Sequence, residues 1–222
     1  MSTLHIIELG RMMQDSLIGI ILLAAGESAR LGEPKQLVRF QGATLLRRSV
    51  KAALKISGKI VVTLGSRIEI IRKEIEDLPV EIVENKDWQT GMSGSIKVGL
   101  KKLFDDADSI RAVVVMVCDQ PFVDENLLEK IITKFHETDA PIVACAYQNT
   151  RGVPALFHRK LFPELLALDA KAGAKRLIKK YESQTATVSF PEGEFDIDTP
   201  ADYEKLLNSL AYIVTSTALI SP

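Results

Sequence analysis

The sequence predicts an α/β fold with a mostly parallel central sheet between layers of helices. Three observations carry that expectation. Short apolar, β-branched runs alternate with segments of helical period along most of the chain, which is the pattern of successive βα units. The run Ile18–Ala24 (IGIILLA) is apolar throughout, as a strand covered on both faces must be. Of 222 residues, 46% are hydrophobic and 26% charged, a globular composition at a length suited to one ordinary domain.

Each element follows from its local pattern. Ile18–Ala24 is the first strand. Ala43–Ile56 is a helix with Leu46, Val50 and Leu54 at i, i+4, i+8, and Lys59–Leu64 is a second strand. Ser66 with Glu69 three residues on reads as a capping box, opening a helix whose stripe is Ile68, Ile71, Ile75 and Leu78. Val80–Glu84 is a short strand, and Ser93–Phe104 is a helix with Ile96, Leu100 and Leu103 on one side. Arg111–Val117 is the most β-branched segment and reads as a central strand. Asp124 caps a helix reaching Phe135. Ala140–Ala146 and Val153–His158 are strands, Lys160–Leu168 and Ala172–Tyr181 helices, and Thr185–Phe190 a strand. Thr199, Pro200 and Asp202 stand at N-cap, N1 and N3 of a last helix, Thr199–Leu210. Residues 18–210 are expected to form a single domain, with 1–17 an N-terminal extension and 211–222 a tail. Met12 or Met13 is an alternative start.

Charge and cysteine content narrow the partners. Lys and Arg number 28 against 29 Asp and Glu, a formal net charge of -1, which disfavours a nucleic-acid binder and attachment to membranes by bulk charge. Residues 1–17 lack the basic and apolar regions of a signal peptide, and no apolar run reaches the ~20 residues that span a bilayer. Cys118 and Cys145 are too few and too far apart for a disulfide scaffold or a CxxC motif. They read as reduced thiols on buried strands of a cytoplasmic protein. His5, His136 and His158 have no metal-ligand spacing.

In open α/β sheets ligands sit outside the carboxyl ends of strands, so the segments after strands carry the functional expectation. After the first strand comes Leu23-Ala24-Ala25-Gly26-Glu27-Ser28-Ala29-Arg30-Leu31-Gly32-Glu33-Pro34-Lys35-Gln36-Leu37. Small residues let the backbone approach a ligand, consecutive N–H groups form an anion nest, and Arg30 and Lys35 add two cations suited to a polyphosphate. The loop is neither a Walker A nor a GxGxxG motif. Asp119 follows the Arg111–Val117 strand and is placed to hold a cation over a phosphate, since Mg²⁺ takes one or two carboxylates with phosphate oxygens and water. Asp198, just before the last helix, is the second candidate; its other reading is helix-terminus electrostatics. Asp196 is assigned alternate parity and expected to point elsewhere, at most an auxiliary ligand. Gly91–Ser95 precedes a helix and is either a base or ribose contact or an N-cap cluster. Trp88 is read as a partly buried core residue in preference to a stacking platform.

The loop closely resembles the signature of the MobA-like NTP transferases, and within them the molybdenum cofactor cytidylyltransferase branch. Four further blocks match in the family's order: Gly91-Met92-Ser93-Gly94-Ser95, Cys118-Asp119-Gln120-Pro121, Gly152-Val153-Pro154-Ala155-Leu156-Phe157, and Asp196-Ile197-Asp198-Thr199-Pro200-Ala201-Asp202-Tyr203. The resemblance implies a three-layer Rossmann-like nucleotidyltransferase fold of the glycosyltransferase-A type. It implies CMP transfer from CTP, or another NTP, to the phosphate of molybdopterin, with Mg²⁺ or Mn²⁺ as cofactor. A cofactor-receiving molybdoenzyme is a further implied partner. Ala24-Ala25-Gly26 matches the cytidine-type branch, where the guanylyl branch has Leu-Ala-Gly-Gly. Carried over residue by residue, Leu23, Ala24, Ala25, Gly26, Ser28, Arg30, Lys35, Gly91, Ser93 and Ser95 bind nucleotide. Arg30, Lys35 and Asp119 are catalytic, and Asp119 and Asp198 hold metal. Two departures stand out: Gly94 where the family commonly has Ser, and Val153 where it commonly has His. Val153 and the stretch Asp169–Lys175 keep another acceptor open, such as a sugar, polyol or lactyl phosphate. A non-catalytic nucleotide-binding delivery protein is the rival from a different class.

Overall fold

The computed structural model describes residues 17–106, 109–170 and 173–208. Residues 1–16 of the expected extension 1–17, the last two residues of the expected domain and the whole of the expected tail 211–222 lie outside the described residues. In chain order the strands are β1 (Ile18–Ala24), β2 (Arg39–Phe40), β3 (Ala43–Thr44), β4 (Ile60–Leu64), β5 (Glu81–Glu84), β6 (Ala112–Val117), β7 (Ile142–Tyr147), β8 (Thr150–His158) and β9 (Thr185–Ser189). The α-helices are α1 (Leu45–Leu54), α2 (Ile68–Ile71), α3 (Met92–Asp106), α4 (Glu125–Thr138), α5 (Phe162–Leu166), α6 (Lys175–Lys180) and α7 (200–208).

Seven strands form one sheet in the order β5-β4-β1-β6-β8-β7-β9, and β2 with β3 forms a small separate ribbon. All pairs in the large sheet are parallel except those of β8, which runs antiparallel to both β6 and β7. The strand β8 breaks the βα alternation because only two residues separate it from β7, too few for a crossover. Strand order reverses around β1, whose neighbours are β4 and β6. That switch point opens a crevice at the carboxyl ends of β1 and β6.

Every residue of β1 and β6 is buried, and the two faces feed separate cores. Ile20, Leu22, Val114 and Met116 pack with Leu46 and Val50 of α1 and Leu128 and Ile131 of α4. On the other face Ile21, Leu23, Val113 and Val115 pack with Ile96 and Leu100 of α3, Leu165 of α5 and Leu177 of α6. Burying one such side chain contributes roughly 1.5–3 kcal/mol, so the fully apolar strands set the sheet's centre. A methyl group on Gly99 would lie 2.7 Å from Ile21 Cγ2, so the glycine lets α3 press onto β1.

Among the described residues, side chains cap three α-helices. Asp124 accepts from the Leu127 N–H, and Thr199 and Asp202 bond each other reciprocally, both as the sequence predicts. Thr44 adds a third cap, accepting from the Arg47 N–H at the start of α1. Each such cap is worth about 1 kcal/mol. The Ser66 capping box does not form. Ser66 is drawn toward the sheet, where its N–H donates to the Ala25 carbonyl at 3.0 Å, and Arg67 precedes α2 in the left-handed region at φ 53°. The helix there is accordingly only four residues of α-type before a 3-10 turn.

A third, smaller core is decisive for the site. Leu31, Val38, Phe40, Leu45, Ile197 and Leu206 are buried together, with Phe122 and Tyr203 packed against them. This cluster joins the loop after β1, the β2–β3 ribbon, and the segment leading into α7.

Candidate functional site

Two loops meet at the crevice. The loop after β1 turns at Ser28, whose φ is 61°, and its hydroxyl accepts the Lys35 N–H at 3.0 Å. Gln36 is fully buried; its side-chain amide donates to the Ala24 and Gly26 carbonyls at 2.8 and 3.0 Å. One side chain thereby ties the end of β1 to the base of Lys35. Sequence reading missed this role, because a glutamine between Lys and Leu reads as a solvated loop residue.

Opposite lies Asp119, just past β6. Its backbone carbonyl accepts the Ile197 N–H at 3.0 Å. Ile197 is buried in the third core, so Asp196 and Asp198 on either side of it both turn toward Asp119. The expectation that Asp196 points elsewhere is therefore corrected: its carboxyl lies near enough to Asp119 and Asp198 for both charges to act on it. The Asp196 carboxyl is pushed up to about 6 by burial and by the negative charges of Asp119 and Asp198.

The charged groups form one network. Lys35 Nζ lies 2.5 Å from Asp119 Oδ2 and 3.0 Å from Asp198 Oδ1, and Arg30 Nη2 lies 2.7 Å from Asp198 Oδ2. Burial alone would lower the Lys35 pKa, but the charge of Asp119 and the hydrogen bonds to Asp119 and Asp198 outweigh it and hold the ammonium above its ordinary value. Lys35 is a fixed cation at any physiological pH. The Arg30 side chain is 71% exposed. An ion pair that exposed is worth about 0–1 kcal/mol, so Arg30 is free to exchange a carboxylate for a phosphate.

The residues fit a divalent cation carried in with a nucleotide. Asp119 Oδ1 is buried with no hydrogen-bond partner, and the Asp119 and Asp198 carboxylates converge on one cation-sized point, held here by Lys35 Nζ. Among the described residues no group of three or more His, Cys, Asp or Glu is arranged to hold a metal. Two carboxylates suffice only where phosphate oxygens and water complete the shell.

Beside this charged mouth runs a cleft of about 330 Å³, whose walls include Leu23, Ala24, Ala25, Gly26, Lys35, Trp88, Gly91, Ser95 and Asp119. Trp88 is half-buried on the wall, so it belongs to the cleft as well as to the packing. A methyl group on Gly65 would lie 2.7 Å from Trp88 Cβ and 2.8 Å from the Ala25 carbonyl oxygen; the glycine sets the cleft's width. Gly91 turns the chain at φ 124°. Ser95 is buried and accepts from Asn85 Nδ2 at 3.0 Å. The Ser93 hydroxyl donates to the Ala170 carbonyl at 2.9 Å, and it is not among the cleft's lining residues. Ser28 and Arg30 stand at the mouth. Gly94 faces Asn85, and a methyl group on it would lie 3.2 Å from Asn85 Nδ2.

Two further residues went unread in the sequence. Gln120 is buried, donates to the Gly193 carbonyl at 3.1 Å, and leaves its Oε1 without a partner. Burial and the neighbouring Asp196 charge raise the Tyr147 pKa, and its ring fills the space left by Gly152 and Gly193. Cys118 and Cys145 are free, buried thiols pushed up to about 12, chiefly by burial. No described helix is long and apolar enough to cross a membrane.

Comparison with known proteins agrees with this geometry. The family model of the MobA-like NTP transferase domain matches residues 20–186. The chain is 27% identical over 208 residues to the purine catabolism protein PucB of Bacillus subtilis, covering 88% of this chain and 98% of that protein. It is 23% identical over 194 residues to the molybdenum cofactor cytidylyltransferase of Escherichia coli, covering 85% and 94%. Another relative, the bifunctional protein GlmU of Buchnera aphidicola, is 26% identical over 169 residues; the match takes in 74% of this chain but only 36% of that protein. Among solved structures, an rv0371c homolog from Mycobacterium sp. strain JC1 superposes with a TM-score of 0.74 at 29% identity, covering 89% of this chain and 98% of that one. A manganese complex of Rv0371C from Mycobacterium tuberculosis gives 0.70 at 27% identity, covering 87% and 99%.

Proposed function

The chain belongs to the MobA-like NTP transferase family and is a nucleotidyltransferase; from that premise we propose that it moves CMP from CTP to the phosphate of molybdopterin and releases pyrophosphate. The observation that carries this reading is the Lys35 ammonium, seated between Asp119 and Asp198 at the end of a small-residue cleft. A phosphate oxygen of the acceptor attacks the α-phosphorus of CTP, and the bond from that phosphorus to the β-phosphate bridging oxygen breaks. The acceptor supplies the nucleophile, so no side chain needs to form a covalent bond. Positioning and charge neutralisation carry the rate.

Lys35 faces the α-phosphate, where negative charge grows in the transition state. Arg30 leaves Asp198 for the β- and γ-phosphates and follows the departing pyrophosphate. Backbone N–H groups of Ala25, Gly26 and their neighbours cradle the triphosphate. Asp119 and Asp198 would hold Mg²⁺, which supplies fixed positive charge to the triphosphate when bound. The manganese complex of the mycobacterial relative supports a divalent cation in this role. The cleft wall from Leu23 to Gly26, with Gly91 and Ser95, receives the base and ribose, and Ala24-Ala25-Gly26 favours cytidine.

A second reading keeps the reaction and changes the acceptor to another phosphorylated small molecule. It is favoured by Val153, an apolar side chain that gives no hydrogen bond. Pyrophosphate release from each of the four NTPs, with and without molybdopterin and with Mg²⁺ or Mn²⁺, separates the two. Release that needs both CTP and molybdopterin is the expected result. Release with a sugar, polyol or lactyl phosphate alone would replace the acceptor. Tight CTP binding with no release under any condition would overturn catalysis altogether.

A further inference from the structure

A second cleft, of about 470 Å³, lies on the same sheet face; its walls include Gln148, Asn149, Arg151, Lys175, Lys179 and Glu182. Topology fixes its relation to the nucleotide cleft. Strands β6 and β7 are both antiparallel to β8, so the turn after β7 lies at the sheet edge from which Asp119 emerges. Val117 and Val153 each stand two residues past the last β6–β8 pair, Val115 with Ala155, and both pack into the same apolar cluster. Val117 lines the nucleotide cleft, and Arg151, two residues before Val153, lines the second one. With strands about 4.8 Å apart, one small molecule can reach from one cleft to the other across Val153.

The charge of the second cleft is specific. Lys175, Ile178 and Lys179 share one face of α6 at i, i+3 and i+4, and that face lines the cleft. Arg176 and Lys180 on the same helix are paired, with Asp169 and Glu164. Among the described residues Lys175 and Lys179 have no acidic partner. Arg151 is held in place by the Glu182 carbonyl oxygen at 2.9 Å and lies 3.7 Å from the Glu182 carboxylate. Three cations thus face one carboxylate, and two lysines one helical turn apart repel each other. An anion between them turns that repulsion into attraction.

We propose that this cleft binds an anionic group of the acceptor other than the phosphate that attacks the nucleotide. The acceptor class is then a small molecule with a phosphate at one end and a second anionic group at the other. The inference rests on the nucleotidyl-transfer reading above. Its test is the double variant Lys175→Glu with Lys179→Glu, assayed for pyrophosphate release with molybdopterin as acceptor. Both side chains are exposed, so the fold is retained. The expected result is an acceptor KM raised about tenfold or more, the size set by reversing two charges at partly solvated sites, with the KM for CTP unchanged. An unchanged acceptor KM in an active protein overturns the inference and leaves the transfer reading intact. Should the wild type release no pyrophosphate with any of the NTPs and acceptors named above, that reading fails, and a second measurement judges the cleft alone. The rates at which Lys175 and Lys179 are acetylated are then read by mass spectrometry in inorganic phosphate and in chloride at matched ionic strength. Slower modification of both lysines in phosphate supports an anion site, and equal rates overturn it.

Discussion

The site has a charged mouth and a nearly neutral floor, and the two are built differently. At the mouth, Arg30, Lys35, Asp119 and Asp198 bring four formal charges within a few ångströms of one another. They are held by the small third core, in which Ile197 and Leu31 sit directly beside the charged residues. The floor, from Leu23 to Gly26 with Trp88, Gly91 and Ser95, is the end of the main sheet and carries no formal charge. On the proposed function the difference is a division of labour: a surface of backbone and small side chains would receive the nucleoside, and an ion network would receive the phosphates.

Four experiments break or sharpen that division. The largest effect is expected at the mouth. Lys35→Ala and Asp119→Ala should each lower CTP-dependent pyrophosphate release by on the order of 10²–10³ in turnover, as for loss of a single transition-state donor. Wild-type turnover in either variant would remove that residue from the mechanism. Next, Ile197→Ala empties part of the third core without touching a charge. It should destabilise the protein by about 2–5 kcal/mol, read by urea unfolding, and lower turnover by a larger factor than it weakens CTP binding. A variant that lost CTP affinity but kept turnover would reverse the proposed roles of mouth and floor.

At the floor, Gly65→Ala places a methyl group 2.7 Å from Trp88 Cβ and narrows the cleft. The expected outcome is a KM for CTP raised roughly tenfold, about 1.4 kcal/mol, with turnover nearly unchanged. A fall in turnover with constant KM would show that floor and mouth act as one unit. The smallest effect concerns the thiols. Cys118 adjoins Asp119 and Cys145 lies in β7, yet both are pushed up to about 12 from an ordinary value of 9.0. A raised folded-state pKa contributes stability that is complete below about pH 9 and lost as pH rises through about 12. Neither thiol should react with a thiol reagent at pH 8 in the folded protein. Selective modification of Cys118 would show that the floor opens beside Asp119.

The fold is largely legible in the sequence because its pattern is local. Fully apolar strands and i, i+4 stripes are written in consecutive residues, and so are the caps at Asp124 and Thr199. The cap expected at Ser66 loses to a backbone bond with Ala25, and nothing near Ser66 in sequence announces that bond. Strand β8 is legible, but not its direction; reversal depends on a two-residue turn whose meaning appears only when β7 and β8 pair. The roles of Gln36, Gln120 and Tyr147 are hidden for a similar reason. Each serves carbonyls, glycines or charges elsewhere in the chain.

By itself the sequence determined an α/β protein with a small-residue loop, two cations in it, and acidic residues after later strands. Those features follow from hydrophobic period, glycine and charge placement, which neighbouring residues fix among themselves. Only the tertiary structure decided that Lys35 meets Asp119 across 84 positions of chain and Asp198 across 163. It decided too that Asp196 shares the site. Contacts at such separation depend on which apolar surfaces pack together: Ile197 must find Leu31 and Phe40 before its flanking aspartates can face the lysine. Burial of that small cluster, and not any property of the charged residues, assembles the site.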